Sequence, residues 1–589
     1  MAGRNVFTVL EQTAEKYGNV AALHQPTGSK GNTQYQTYPW NDWVQVSREI
    51  AVGLHTLGLQ KGEIACILSE TRAEFYLVDL GIMGAGGVSA ALYTAYPMAD
   101  LAGNIHSVQP RFLFVEDEKT LRALARAVED RGEQMPPQLV LMTGENPEGL
   151  SLGRLRELGR AAMEKDPDLF CRLQEAISPQ DPAILYLTSG ATGEPKMGLT
   201  SHAAILANID MGPVVLPIGP EDSTLVFLPS AHIAQRIVLE LVPMRMGTPV
   251  WFSESLARLP SDLKSVRPTI FLAPPRVWER MYATIQTELK KRPPAAQKLF
   301  AKSLELGMKA NQYRQAGKPV PLGLKLLLKV ADRLVFSKVR ERLGGRIRVA
   351  ASGAAPLGKE LGEFFGAIGI PIVEGYGLTE AGVLAFNPLN QPKAGSIGKL
   401  LPGVEARLAE DGELQVRTPC LFIGYYHDEA ATRSVMTEDG WFSTGDIAQV
   451  DDQGFWYITG RKKELIVSSN GKKIYPSRIE NLFKMEPIVN QVLLIGDKKP
   501  YVTALLTVNA MQAQNIGAEP IAKAVQQAVS RVNKQLADFE RIRRFKVLDR
   551  DFSIEQGELT PTMKIRRSRV LENHKQLVSE LYLGREEID

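Results

Sequence analysis

The sequence predicts an α/β fold, with a large N-terminal domain of layered sheets and helices and a smaller α+β domain at the C-terminus. Two observations predict it. Short apolar runs alternate with stretches of helical periodicity through most of the chain, the mark of helices packed on parallel sheets. From residue 454 onward the pattern changes, and short strand-like runs fall between longer helical stretches. The 589 residues leave room for roughly three to five folding units at about 100–200 residues each.

The elements follow in order. Residues 41–58 carry apolar side chains at helical spacing, and Ile64–Leu68, after Gly62, reads as a buried strand. The longest uncharged run, 80–99, is long enough to cross a bilayer. It is interrupted by Gly81, Gly84, Gly86, Gly87, Ser89, Thr94 and Pro97, so it reads as a helix end, a glycine turn and a buried strand. Residues 112–115 and 139–142 read as further buried strands, each near a Pro or Gly break. Residues 183–187 form a strand that runs into a Gly/Ser/Thr loop. In the C-terminal part, 454–459, 464–467, 491–495 and 502–508 read as strands, and 521–539 and 568–581 as helices. The charged stretch RKKE at 461–464 is the expected boundary, dividing 1–462 from 463–589. No internal repeat of fixed period is present.

Composition narrows the function classes. At 44% hydrophobic residues, with 69 Lys+Arg against 66 Asp+Glu, the chain is neither collagen-like nor disordered. Cys66, Cys171 and Cys420 are too few and too far apart for a disulfide framework or a Cys-ligated zinc site, which fits a reducing compartment. The first residues lack the long apolar centre of a signal peptide, so a cytoplasmic location is expected. Net charge is +3, but 289–346 holds 15 Lys+Arg and three acids, which makes that segment +12 and leaves −9 for the remainder.

The sharpest local signal is YLTSGATGEPKMGLTSH at 186–202. Glycines let successive backbone N–H groups turn toward an anion, hydroxyls add donors, and Lys196 adds a positive charge. The spacing is not that of the common P-loop. Alone, the segment reads equally as a phosphate cradle or a surface turn. Further segments stand at 351–357 (ASGAAPL), 374–382 (EGYGLTEAG), 443–446 (STGD), 460–466 (GRKKELI) and 559–567 (LTPTMKIRR). Taken singly, Glu380, Tyr376, Asp446 and Lys564 read as a solvated helix residue, core packing, a turn former and a solvated basic run. Together and in this order, the segments resemble the adenylate-forming superfamily of acyl-CoA synthetases, adenylation domains and luciferases, across residues 8–580.

The resemblance implies roles. Thr188, Ser189, Gly190, Thr192, Gly193 and Lys196 would wrap the β- and γ-phosphates of ATP. Thr188 and Glu380 would hold Mg²⁺, whose preference is for hard oxygen ligands. Tyr376 would stack on adenine, Asp446 would take the ribose hydroxyls, and Arg461 would assist. Gly353, Ala354, Ala355, Glu374, Gly375, Gly377 and Thr379 would complete the nucleotide site. Lys564 would bridge the α-phosphate and the substrate carboxylate. Relatives rotate a mobile C-terminal domain about one residue, which is Lys463 by position. The loop departs from the family pattern in Ala191 for Thr and Met197 for Gly. The lost hydroxyl is worth roughly 1 kcal/mol of phosphate binding. Val467 stands where many relatives carry Lys.

Segments 228–240 (LPSAHIAQRIVLE) and 252–279 resemble the long-chain fatty acyl-CoA synthetase branch. On that resemblance His232 would lie near the substrate carboxylate, although by itself it reads equally as a core histidine. The catalytic set would be Lys564, Lys196 and His232. The implied activity is activation of a long-chain fatty acid with ATP as acyl-AMP, then transfer to CoA with release of AMP. The alternatives are delivery to a carrier protein and a non-catalytic acyl or nucleotide binder. No nucleic acid and no obligate protein partner are expected. Residues 322–343 place Leu at helical spacing with Lys and Arg between. They read either as a peripheral membrane contact, on the cytoplasmic face, or as a helix packing its Leu face on the core.

Overall fold

The computed structural model describes residues 3–27, 33–144, 149–188, 196–514, 518–560 and 562–583. Two large sheets organise the N-terminal part. The first has nine strands. Its centre runs Val250–Phe252, Thr224–Val226, Ile270–Ala273, Val349–Ser352 and Ile372–Leu378, all parallel neighbours. The second has eight strands. Its centre runs Pro182–Thr188, Val88–Ala91, Ile64–Leu68, Phe112–Val115 and Gln138–Leu141, again parallel.

These strands are continuous apolar runs because both faces of each sheet are covered. Ile64–Leu68 shows how: Ala65 and Ile67 enter one buried cluster, while Ile64, Cys66 and Leu68 enter another. Side chains alternate across a strand, so one short run serves two cores. The uncharged run resolves as read, into the helix Ala73–Gly84, a turn at Gly86 and the strand Val88–Ala91. Among the described residues no helix is long and apolar enough to cross a membrane.

The C-terminal part has its own core around a three-stranded sheet of Val489–Ile495, Val502–Val508 and Ile542–Val547. Three expectations are corrected. The run 454–459 belongs to the strand Trp456–Arg461, which pairs with Phe442–Val450 in an antiparallel four-stranded sheet before the small domain begins. The helix expected at 521–539 is Ala518–Asn533; there Asn533 turns its side chain to both backbone polar groups of Ile542, which ends the helix. The stretch 568–581 is two helices, Arg567–Asn573 and Lys575–Tyr582, parted at His574, whose Nε2 lies 3.0 Å from Glu558. Stretch 322–343 is one helical rod, Leu322–Ala331 and Ser337–Glu341 joined by a π-helical turn at Asp332–Phe336.

Candidate active site

In each large sheet the loops at the carboxyl ends of central strands carry the expected site residues, the usual place for ligands in open α/β sheets. Thr188 and Lys196 are backbone partners at the mouth of a hairpin. Ser189, Gly190, Thr192 and Gly193, and the side chain of Thr188, lie outside the described residues. Lys196 Nζ stands 4.6 Å from the centre of the Tyr425 ring. Tyr425 in turn donates its hydroxyl to Glu380 Oε1 at 2.7 Å. Burial, then the Glu380 charge, pushes that phenol pKa up. Tyr425 was not singled out in the sequence. It reaches the site because Gly424–Tyr425 pairs with the strand that begins at Lys196.

The second group is Tyr376, Asp446 and Arg461. Asp446 and Arg461 sit opposite each other on adjacent antiparallel strands, so register alone joins them. Arg461 Nε lies 2.9 Å from Asp446 Oδ1, and Tyr376 donates its hydroxyl to Oδ2 at 2.6 Å. Asp446 is only 2% exposed. Burial raises its pKa, opposed by the Arg461 charge and the Tyr376 hydrogen bond. The Tyr376 phenol is spent on Asp446, which leaves the face of its ring as the part free to stack on the expected adenine.

The third group is the loop after Val349–Ser352. Ala354 holds φ +69°, a left-handed conformation that non-glycine residues rarely adopt and that marks stored backbone strain. The neighbouring Glu374 is buried, and its carboxylate accepts from Leu357 N (3.1 Å) and Gly395 N (3.2 Å). Glu374 therefore holds the loop in shape rather than facing an open cleft. Gly353 and Gly375 run side by side: a Cβ on Gly353 would stand 3.6 Å from Gly375 O. Gly377 admits no side chain, because a Cβ there would lie 2.3 Å from Gly382 O. Ala355 lies in this loop, and Thr379 in the turn that carries Glu380.

Lys564 arrives from the other end of the chain. It sits in a tight turn closed by Thr560 N donating to Lys564 O (2.8 Å) and Lys564 N donating to Thr560 Oγ1 (3.1 Å). Its side chain keeps exposed surface although protein atoms crowd around it. Burial lowers its pKa, and the nearby Arg461 charge lowers it further; Asp446, Glu464 and Glu380 oppose this. Burial, with the Lys564 charge, holds His232 down at about 3. Its Nδ1 accepts from Ala234 N at 3.1 Å, which leaves the proton of the neutral ring on Nε2. The charges of Arg461, Asp446 and Glu380 act on Lys564, and that of Lys564 on His232, so the fold brings these groups within electrostatic reach of one another.

The residues at the expected boundary pair in opposite directions along the chain. Lys462 Nζ is held by Asp411 (2.6 Å) and Glu413 (2.8 Å) of the large domain. Glu464 lies 3.8 Å from Arg567 of the small one. Lys463 stands between them in a short 3₁₀ turn. The two parts also touch directly. Lys484 donates to Pro356 O at 2.5 Å and lies 3.4 Å from Glu279. Arg276 donates to Asn490 O at 2.5 Å, and Gln512 to Thr287 Oγ1 at 2.6 Å.

Comparison with known proteins agrees with this picture. The AMP-binding enzyme family model matches residues 10–426, and the model for the AMP-binding enzyme C-terminal domain matches 463–586. The long-chain-fatty-acid–CoA ligase FadD15 of Mycobacterium bovis is 34% identical over 561 residues, covering 91% of this chain and 90% of that protein. The long-chain-fatty-acid–CoA ligase ACSBG2 of Rattus norvegicus is 31% identical over 629 residues, covering 98% and 92%. Among solved structures, the adenylation domain of a carboxylate reductase from Mycobacterium chelonae superposes with a TM-score of 0.77 at 22% identity, covering 99% of this chain and 92% of that one. ATP-bound MatB from Rhodopseudomonas palustris gives 0.69 at 22% identity, covering 98% and 100%, and at this identity both likenesses speak for the fold alone. The chain belongs to the AMP-binding enzyme family, in its long-chain-fatty-acid–CoA ligase branch.

Proposed function

We propose that the protein activates a long-chain fatty acid with ATP as acyl-AMP and then transfers the acyl group to CoA, releasing pyrophosphate and AMP. The observation that carries this reading is the arrival of Lys564, from a separate domain, beside Asp446, Arg461, Glu380 and His232. A carboxylate is a poor acyl donor because its leaving group would be oxide. In the first step it attacks the α-phosphorus of ATP, and negative charge builds on the phosphoryl oxygens. Lys564 meets that charge, and a cation fixed in a partly desolvated cleft stabilises it far more than water does. Neutral His232 donates from Nε2 toward the substrate carboxylate. Asp446, oriented by Arg461 and Tyr376, takes the ribose hydroxyls. Lys196 and the 188–196 loop hold the β- and γ-phosphates.

Glu380 fits a part in Mg²⁺ binding, since Tyr425 engages one of its two carboxylate oxygens. Thr188 would be the second protein ligand. Among the described residues no cluster of three or more His, Cys, Asp or Glu would hold a metal ion alone. That suits Mg²⁺, which keeps waters and is bound by one or two protein oxygens together with phosphates. Bound there, Mg²⁺ would neutralise phosphate charge.

In the second step the CoA thiol attacks the acyl-AMP carbonyl, and AMP leaves. Lys564 and CoA need the same side of that carbonyl. The chain therefore works as two bodies, 1–462 and 463–589, with Lys463 as the hinge; the anchoring of Lys462 and Glu464 to opposite domains supports this. The proposed location is the cytoplasm, a reading supported by the few, widely spaced cysteines of the sequence. The test is product analysis with ATP, Mg²⁺, CoA and fatty acids from short to long. Acyl-CoA and AMP, with long chains preferred, are expected. Pyrophosphate release without a CoA thioester would favour a carrier-protein acceptor. No pyrophosphate at all would overturn catalysis.

A further inference from the structure

The rod 322–341 has two apolar faces. One is used: Leu328, Val335 and Val339 pack on a buried cluster, and Ala331 and Phe336 lie inside it. The other is bare. Leu322, Leu326, Leu327, Val330 and Leu334 are between 48% and 79% exposed. At 100° per residue, Leu322, Leu326 and Val330 advance slowly around one side, and Leu327 and Leu334 fall beside them. Isolated exposed leucines are ordinary, whereas four leucines and a valine on one helix face are not.

Charge decides what covers this face. Lys325, Lys329 and Arg333 edge it on one side and Lys338 on the other, all exposed. Of the two acids in this stretch, Asp332 is spent, since Arg340 binds its two carboxylate oxygens at 2.6 and 3.0 Å, and Glu341 stands at the C-terminal end, beyond the last of the exposed apolar residues. The surrounding segment 289–346 holds 15 basic and three acidic residues. A second copy of the chain docking face to face would set two such segments together, and like charges across an interface are costly. A bilayer with anionic headgroups matches both features at once, since leucines enter the headgroup–acyl boundary while Lys and Arg reach back to phosphate.

We infer that the bare face of 322–341 docks the protein on an anionic lipid surface, with Leu322, Leu326, Leu327, Val330 and Leu334 inserted and Lys325, Lys329, Arg333 and Lys338 on the headgroups. The inference rests on the ligase reading only for its purpose: a long-chain acid resides in lipid, and a docked enzyme collects it there. The surface stands on its own geometry, so its test reads binding without catalysis.

The experiment is co-sedimentation of the full chain with phosphatidylcholine vesicles, with and without phosphatidylglycerol, at low and high salt. Binding to the anionic vesicles that salt releases is expected. The triple variant Lys325→Glu, Lys329→Glu, Arg333→Glu should lose about 100-fold or more in partitioning, at roughly fivefold per basic residue removed. The variant Leu326→Glu, Val330→Glu should lose binding while keeping all four basic residues. Both change exposed side chains only, and an unchanged thermal melt confirms that they fold. Vesicle binding retained in both variants would overturn the inference. So would a concentration-dependent dimer, or a stable complex with an acidic protein, that forms through this face and that the same variants dissolve.

Discussion

The large domain brings Tyr376, Asp446, Arg461, Glu380 and Tyr425 to the cleft through hydrogen bonds made within one body. The small domain brings Lys564 on a turn, and its own grip on the large domain runs through such contacts as Lys484 to Pro356 O and Arg276 to Asn490 O. One wall is built and the other is delivered. On the proposed mechanism, the groups needed in both half-reactions are held within one body, whereas the charge needed only for adenylation rides on the other part. Lys484 is the sharpest point of contact between the two. It reaches into the same strained loop, 353–357, that Glu374 holds from the other side through Leu357 N.

The comparison breaks most visibly at Lys564. Lys564→Ala should cost about 10²–10³-fold in ATP–pyrophosphate exchange, since a charge aimed at the transition state is worth several kcal/mol. Thioester formation from supplied acyl-AMP should be nearly unchanged, and equal losses in both would remove Lys564 from its role. Lys463→Pro locks the hinge, because Pro fixes φ near −65° and the domain cannot swing. One half-reaction should keep part of its rate while the other loses most of it; parallel damage to both would refute the hinge.

The built wall responds differently. Asp446→Asn removes a charged hydrogen-bonding partner from Arg461, from Tyr376 and from ribose. About 10- to 100-fold should be lost, in both half-reactions alike, because AMP is present in both. A loss confined to one step would contradict a shared nucleotide wall. Lys484→Met tests the contact between the walls. Adenylation should fall about tenfold, the value of one charged hydrogen bond, with thioester formation spared. Lys484→Arg should restore part of the loss if the positive charge beside Glu279 and Pro356 O is what matters. Loss of both steps together would show a merely structural lysine.

The smallest effect is on stability against pH. His232 is lowered from 6.5 to about 3 in the folded protein. Between those values the unfolded chain binds the proton that the folded chain refuses, so stability rises with pH there. The contribution is full above pH 6.5 and is lost progressively as pH falls toward 3. Urea midpoints at pH 7 and pH 5 should therefore differ more in the wild type than in His232→Gln. An identical pH dependence would mean that His232 is not held neutral beside Lys564.

Much of the site was legible because its motifs are local. STGD and GR fall on adjacent strands, and a register of paired strands fixes Asp446 opposite Arg461 once the hairpin forms. The alternation of buried strands and helices was legible for the same reason, since each strand such as Ile64–Leu68 writes its burial into consecutive apolar residues. The errors fell where a single side chain decides. Glu558 meeting His574 at the break between two helices, and Asn533 ending another, are contacts with no periodic signature.

The sequence by itself determined the layered α/β architecture, the order of the phosphate, nucleotide and lysine motifs, and the membership in one enzyme family, because each is carried by residues close together in the chain. Only the tertiary structure decided that Tyr425 binds Glu380, that Lys484 meets the 353–357 loop, that Lys564 comes within electrostatic reach of His232, and which leucines of 322–341 stay outside. The last case shows the reason plainly. A helix with leucines on two sides satisfies both readings of its sequence, and which side is buried depends on partners that only folding brings beside it.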